Sequence, residues 1–125
     1  MDYGSGNVKS VFNVLEFLGY ETIISNDIEE IRGSSHLIMP GVGAFGASMA
    51  KIFKNIPVDC LIEEIIEKGK PFLGICVGMQ ILADIGLEFG EHIGLGLIPG
   101  VVDKVHSDGQ QLPHVGWNNI EINKD

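Results

Sequence analysis

The residues with the clearest potential for chemistry are Gly74-Ile75-Cys76-Val77-Gly78. The run closes an apolar stretch, Phe72–Cys76, and opens a segment with helical spacing through Val77, Ile81, Leu82 and Ile85, so it reads as strand, sharp turn and helix. Each residue type has a reason to be there. A sharp strand-to-helix turn holds a nucleophile in a strained backbone conformation above the sheet. Glycines two positions to either side remove side chains that would collide with the turn and with a substrate. The helix N-terminus that follows favours a thiolate, and the Val77 amide points to where an oxyanion would form. A lone cysteine in an apolar run is ordinarily a small core residue, the reading that suits Cys60. The complete G-x-C-x-G pattern at a strand–helix junction favours a nucleophile at Cys76.

Pro40-Gly41-Val42-Gly43-Ala44-Phe45-Gly46 also sits between an apolar run and a helical pattern. Gly41, Gly43 and Gly46 satisfy G-x-G-x-x-G, which in a dinucleotide fold is followed about 20 residues later by an acidic residue at a strand end. Here that distance lands on Glu63, Glu64 and Glu67, on the polar face of an expected helix, so the nucleotide reading fails in context. A loop presenting backbone N–H groups to negative charge developing beside Cys76 fits better, with a ligand-free tight turn as the plain alternative.

A nucleophilic cysteine needs a base. His36 opens a strand, His92 lies among loop glycines, and His106 forms H-x-D with Asp108 in a turn. His114, between Pro113 and Trp117, is the most distinctive by context. None of the four reads as a base for Cys76. The two cysteines form neither a disulfide framework nor a metal-ligand spacing, which points to no metal and a reducing, cytoplasmic compartment.

The elements that must hold these residues follow from periodicity. Val8, Val11, Phe12, Leu15 and Leu18 form one helix stripe, with Asn7 as N-cap and Gly19 as stop. Glu21–Ile24, His36–Met39, Phe72–Cys76, Val101–Val105 and Ile120–Ile122 read as strands. Asp59–Lys68 reads as a helix that buries Leu61, Ile62, Ile65 and Ile66 and turns Glu63, Glu64 and Glu67 to water. Val77–Ile85 continues as a helix, and Ser107–Gly109 is a turn. Alternating strands and helices, with strands apolar on both faces, mean an α/β fold with a mostly parallel sheet flanked by helices. Ligands bind such sheets at the carboxyl ends of strands, where Gly4–Gly6, Gly41–Gly46 and Gly74–Gly78 cluster.

Composition excludes several functions. Eight Lys plus Arg against 17 Asp plus Glu leave a net charge of −9, which repels nucleic-acid backbones and anionic membranes alike. With 45% hydrophobic residues and a mean hydropathy of +0.24, the chain is expected to bury a core. The 17 glycines are about twice the usual ~7% share, and they end apolar runs instead of forming linkers. The longest apolar stretch, Pro71 to Ala83, is interrupted by glycines and Gln80 and falls short of the ~18–20 residues a membrane span needs. The 125 residues suit a single domain. Both ends read as cut: Asp2–Asn7 has the character of a loop after a strand, and a new strand starts near Ile120.

Four segments occur in one order: Asp2-Tyr3-Gly4-Ser5-Gly6-Asn7, Pro40-Gly41-Val42-Gly43, Gly74-Ile75-Cys76-Val77-Gly78-Met79-Gln80 and Pro113-His114-Val115-Gly116-Trp117-Asn118-Asn119. Together they resemble the glutamine amidotransferase subunits of imidazole glycerol phosphate synthases, within the class I (triad) amidotransferases. The resemblance covers essentially the whole chain. It implies a flavodoxin-like three-layer α/β fold and a glutaminase that needs no cofactor. It further implies attack of Cys76 on the glutamine amide, oxyanion amides from Val77 and from Val42 and Gly43, and a grip on glutamine by Gln80. Ammonia would pass to a (β/α)8-barrel cyclase partner faced by Asn7, Trp117 and Asn118, for histidine biosynthesis.

The family also has a strand before its Asp-Tyr-Gly loop, and a catalytic His and Glu two residues apart. Neither has a counterpart here, and no His-x-Glu occurs in the sequence. The expectation is therefore a partial amidotransferase domain, residues 1–125, that is inactive alone. Two other functions remain open: a paralogous subunit feeding ammonia to a surface-polysaccharide sugar amidotransferase, and a truncated module that docks on the partner without making ammonia.

Overall fold

Leu37–Gly41 (β1) and Phe72–Cys76 (β2) pair in parallel, in register from Leu37 opposite Phe72 to Gly41 opposite Cys76. Parallel neighbours cannot be joined by a tight hairpin, so the chain between them must cross over. It does so through α3 (Phe45–Asn55), α4 (Val58–Ile62) and a π-helical turn (Glu63–Glu67). Before β1 come α1 (Val8–Phe17) and α2 (Ile28–Gly33), and after β2 comes the single turn α5 (Val77–Gln80). This computed structural model describes residues 1–109, 111–113 and 115–122.

The core lies between the β1–β2 sheet and the crossover helices: Leu37 and Met39 from β1, Phe45, Met49 and Ile52 from α3, Leu61 from α4 and Val77 from α5. A second sheet has the order β4-β3-β5, from Ala83–Gly86 (β3), His92–Ile93 (β4) and Ile98–Val102 (β5). β5 is parallel to β3 and β4 antiparallel. The architecture is the expected α/β class, with the parallel β1–β2 ladder carrying the glycine clusters at its carboxyl end.

Several elements differ from the periodicity. Ala83–Gly86 is a strand, not the continuation of a helix, because its backbone is claimed from outside: the Ile81 carbonyl accepts from Leu95 N–H and the Leu82 carbonyl from Leu97 and Ile98. Only a glycine can make that approach, since a Cβ on Gly94 would run into the Ala83 carbonyl. Glu21–Ile24 and Ile120–Ile122 join no ladder, and the strand expected at Val101–Val105 begins earlier, at Ile98.

The α4 segment carries the clearest reversal. Glu64, expected in water, is 2% exposed, whereas Ile66, expected in the core, is 60% exposed. Glu64 stands three residues after the fully buried Leu61, on the same inward face, and the chain passes through it as the π-helical turn begins. The buried carboxylate is satisfied by Lys68 and Lys70, the latter with Nζ at 2.8 Å from Oε2.

The α1 stripe is only half covered. Val8, Val11, Phe12 and Leu15 line a groove of about 870 Å³, whose other walls are residues 20–25, α2 with the segment after it, and β1. Two backbone bonds cross its end: the Met1 amino group donates to the Ile38 carbonyl at 2.7 Å, and Asp2 N–H to Ser25 at 2.8 Å. β2 is only half-buried, through Phe72 and Gly74 on one face, with Leu73 and Ile75 on the other reaching solvent.

Candidate active site

Cys76 ends β2 and caps α5, with φ 57° and ψ −121°. A positive φ is rare for a residue with a Cβ, and holding one there costs about 1–3 kcal/mol that the surroundings must supply. They do so through glycines. A Cβ on Gly74 would meet the Gly78 carbonyl and the Met79 Cα, and a Cβ on Gly78 would strike the Met39 carbonyl. The turn is thus packed backbone against backbone, and the thiol is left exposed above it.

The groups expected around a reacting carbonyl sit at this corner. Val77 is the first residue of α5, so its N–H has no acceptor within the helix. Its side chain is buried, which fixes the peptide. Gln80 is the last residue of α5, four residues after Cys76, and is half-buried. Gly41 pairs with Cys76 across the ladder and packs against the elbow, since a Cβ on it would collide with Gly78 N–H. Val42 and Gly43 then leave the sheet as an exposed loop, with Gly43 at φ +94°.

The loop Tyr3–Asn7 braces this corner from below. Asn55 Nδ2 holds the Tyr3 carbonyl at 2.8 Å and Lys51 Nζ holds that of Gly4 at 3.0 Å. Ser5 Oγ donates to the Val42 carbonyl at 3.1 Å. A Cβ on Gly6 would collide with the Pro40 carbonyl. Tyr3 is wholly buried beneath Gly41, with its hydroxyl facing Ser5 and Ser48 outside hydrogen-bond geometry. Burial is the main cause that pushes the Tyr3 phenol above its ordinary value.

The remaining candidates are scattered. Asn7 caps α1, its Oδ1 accepting from Ser10 N–H at 3.3 Å. Trp117 is fully exposed past β5, and Asn118 next to it accepts from Asn119 N–H at 2.9 Å. His36 meets Ser35 at 3.0 Å, His92 packs its ring on Gly46, and His106 is exposed. His114 lies outside the described residues. Among the described residues no histidine hydrogen-bonds to Cys76, and no group of three or more His, Cys, Asp or Glu side chains could hold a metal ion. Cys60 is half-buried, not a core residue, with Arg32 Nη2 at 3.8 Å.

Sequence reasoning missed two residues at this corner. Ser5 lies inside the Asp2–Asn7 motif, whose spacing says nothing of its bond to Val42. Glu88, whose Oε2 accepts from Phe45 N–H at 2.9 Å, gave no local signal at all.

Comparison with known proteins decides the family. Residues 1–124 match the family model for "Glutamine amidotransferase class-I". The chain belongs to the class-I glutamine amidotransferases. Within that family it is similar to proteins named "Imidazole glycerol phosphate synthase subunit HisH". The one from Chlorobium chlorochromatii is 42% identical over 123 residues, covering 98% of this chain and 61% of that protein. The one from Aquifex aeolicus is 44% identical over 126 residues, covering 100% and 60%. The one from Desulfitobacterium hafniense is 44% identical over 124 residues, covering 99% and 58%. This amidotransferase chain therefore spans about three fifths of the length of the relatives it matches.

Proposed function

We propose that this chain is the glutamine-cleaving portion of an imidazole glycerol phosphate synthase. The observation that carries the reading is the elbow at Cys76, with φ 57° between Gly74 and Gly78 and with Gly41 opposite it in the ladder. The Cys76 sulfur adds to the side-chain carbonyl carbon of glutamine, and the carbonyl electron pair moves onto oxygen. Val77 N–H and the Val42–Gly43 backbone stabilise that oxyanion, while Gln80 holds the rest of the substrate. Collapse expels the amide nitrogen as ammonia, which takes up the thiol proton, and leaves a γ-glutamyl thioester. Water then cleaves the thioester to glutamate and regenerates the thiol. The sum is glutamine plus water giving glutamate plus ammonia, with no cofactor.

The proton transfers need a general base, and no His-x-Glu occurs in the 125 residues. We read the chain as one part of an amidotransferase domain, inactive in turnover by itself because loss of a triad member removes several orders of magnitude of rate. The names of its relatives favour a synthase over a sugar-amidating enzyme. The partner would then be a (β/α)8-barrel cyclase of histidine biosynthesis, met through Asn7, Trp117 and Asn118. Ammonia passed directly to it escapes protonation in water. Free cysteines fit a reducing cytoplasm, and no helix among the described residues is long and apolar enough to cross a membrane.

Acid-quenched incubation with glutamine, followed by peptide mass spectrometry, tests the reading. It expects a γ-glutamyl adduct on Cys76 with glutamine and none with asparagine. An adduct on neither cysteine, or equally on both, would contradict it.

A further inference from the structure

The loop Val42–Ala44 has little packing of its own. Val42 is 54% exposed, and a Cβ on Gly43 would meet nothing within 4 Å. The helix it enters lacks a local cap, because Ala44 occupies the N-cap of α3 and offers no side-chain acceptor. Two side chains from distant parts of the chain take over. Glu88 Oε2 accepts from Phe45 N–H at 2.9 Å, 43 residues away in sequence. Ser5 Oγ donates to the Val42 carbonyl at 3.1 Å, 37 residues away.

These two bonds define the loop's orientation. A trans peptide directs its C=O and N–H to opposite sides. With the Val42 carbonyl turned to Ser5, the Gly43 N–H points away from Ser5. Glu88 fixes the other end of the loop, and its own segment is locked onto α3. A Cβ on Gly86 would collide with the Phe45 ring, and one on Gly46 with the His92 ring. The carboxylate also lies at the N-terminus of an 11-residue helix, where negative charge is favoured.

We propose that Glu88 and Ser5 are positioning residues that hold the Val42–Gly43 peptide in the orientation needed to stabilise the oxyanion at Cys76. Each acts through the backbone it grips, and the inference rests on the glutaminase reading above.

The test compares two electrophiles on the intact chain. A chloroketone analogue of glutamine reacts when the Cys76 thiolate displaces chloride, a step helped by hydrogen bonds to the adjacent ketone oxygen. Iodoacetamide alkylates the same thiolate with no oxyanion to stabilise. Glu88→Ala and Ser5→Ala should each lower the maximal chloroketone rate about tenfold, a modest share of the 10²–10³ lost with a whole oxyanion donor. Iodoacetamide rates should stay within about twofold in the same samples, since loop orientation does not enter that step. Glu88→Gln, whose amide oxygen can still accept from Phe45 N–H, should restore the chloroketone rate.

Equal losses with both reagents would overturn the proposal, because they would mean a disturbed fold. So would an unchanged chloroketone rate in both alanine variants, or a Glu88→Gln variant as slow as Glu88→Ala. Failure of the glutaminase reading looks different. The wild-type chain itself would then show no glutamine protection of Cys76, and the positioning roles would fall with it.

Discussion

Gly41 and Cys76 stand opposite each other at the last rung of a parallel ladder, and the loop that follows Gly41 leaves the sheet beside the turn that follows Cys76. Two strand ends therefore converge on one point, where a nucleophile and backbone donors can meet a single carbonyl. That geometry belongs to the carboxyl edge of a parallel sheet, where side chains and helix N-termini face outward together. It depends on three glycines with no room for a Cβ: Gly41, Gly74 and Gly78.

The close approach at Gly78 gives the first prediction. A methyl group there would strike the Met39 carbonyl, which is backbone and cannot swing aside. Gly78→Ala should cost about 1–3 kcal/mol or more, the usual range for overpacking. It should lower the urea midpoint and slow Cys76 alkylation by glutamine analogues. Gly33→Ala, where a Cβ meets nothing within 4 Å, is the control. Equal urea midpoints for the two variants would show that the elbow is not packed as described.

Tyr3 behaves differently. Among the described residues its buried hydroxyl has no partner in hydrogen-bond geometry, and an unsatisfied buried group is a cost to the folded state. Tyr3→Phe should therefore leave stability unchanged or raise it by up to about 1 kcal/mol. A fall of the urea midpoint by an equivalent amount would mean that the hydroxyl is paired with Ser5 or Ser48.

The Glu64 cluster predicts a pH dependence. Hydrogen bonds from Lys68 and then Lys70 hold the Glu64 carboxyl below its ordinary value. A depressed folded value means a contribution that is fully present above the unfolded value of about 4.3 and is lost as pH falls through the folded one. Glu64→Gln should lower the urea midpoint at pH 7 and flatten the decline of stability below about pH 4. Parallel pH profiles for wild type and variant would contradict the assignment.

Trp117, the sole tryptophan, is fully exposed, and under the proposed function it would be covered when the partner docks. Its fluorescence should shift to the blue on addition of a (β/α)8-barrel cyclase, and Trp117→Ala should weaken the complex by more than a surface change of about 0.5 kcal/mol. An unshifted spectrum in a complex proven by sedimentation would remove Trp117 from the interface.

The contrast between Cys76 and Glu64 shows which features local sequence can express. The elbow is written in five consecutive residues, because the strain and the relief of strain lie within one turn. The strand–helix alternation that gives the α/β class is likewise local. Glu64 is not: its burial is tolerated because Lys68 and Lys70, folding back from beyond the π-helical turn, satisfy its carboxylate. Ala83–Gly86 matches a helical stripe until residues 94–98 take its carbonyl groups, a tertiary demand that overrides periodicity. Glu88 and Ser5 reach the Val42–Ala44 loop from 43 and 37 residues away, so no motif spacing announces them.

The central claim is that Cys76 sits in a glutamine pocket. The direct measurement is labelling of the folded chain with the chloroketone analogue of glutamine, with and without free glutamine, mapped by peptide mass spectrometry. The account predicts modification of Cys76, sparing of Cys60, and protection by glutamine but not by asparagine. A folded sample in which Cys76 stays unlabelled, or in which both cysteines react alike and glutamine protects neither, would contradict it and leave a docking module as the better description.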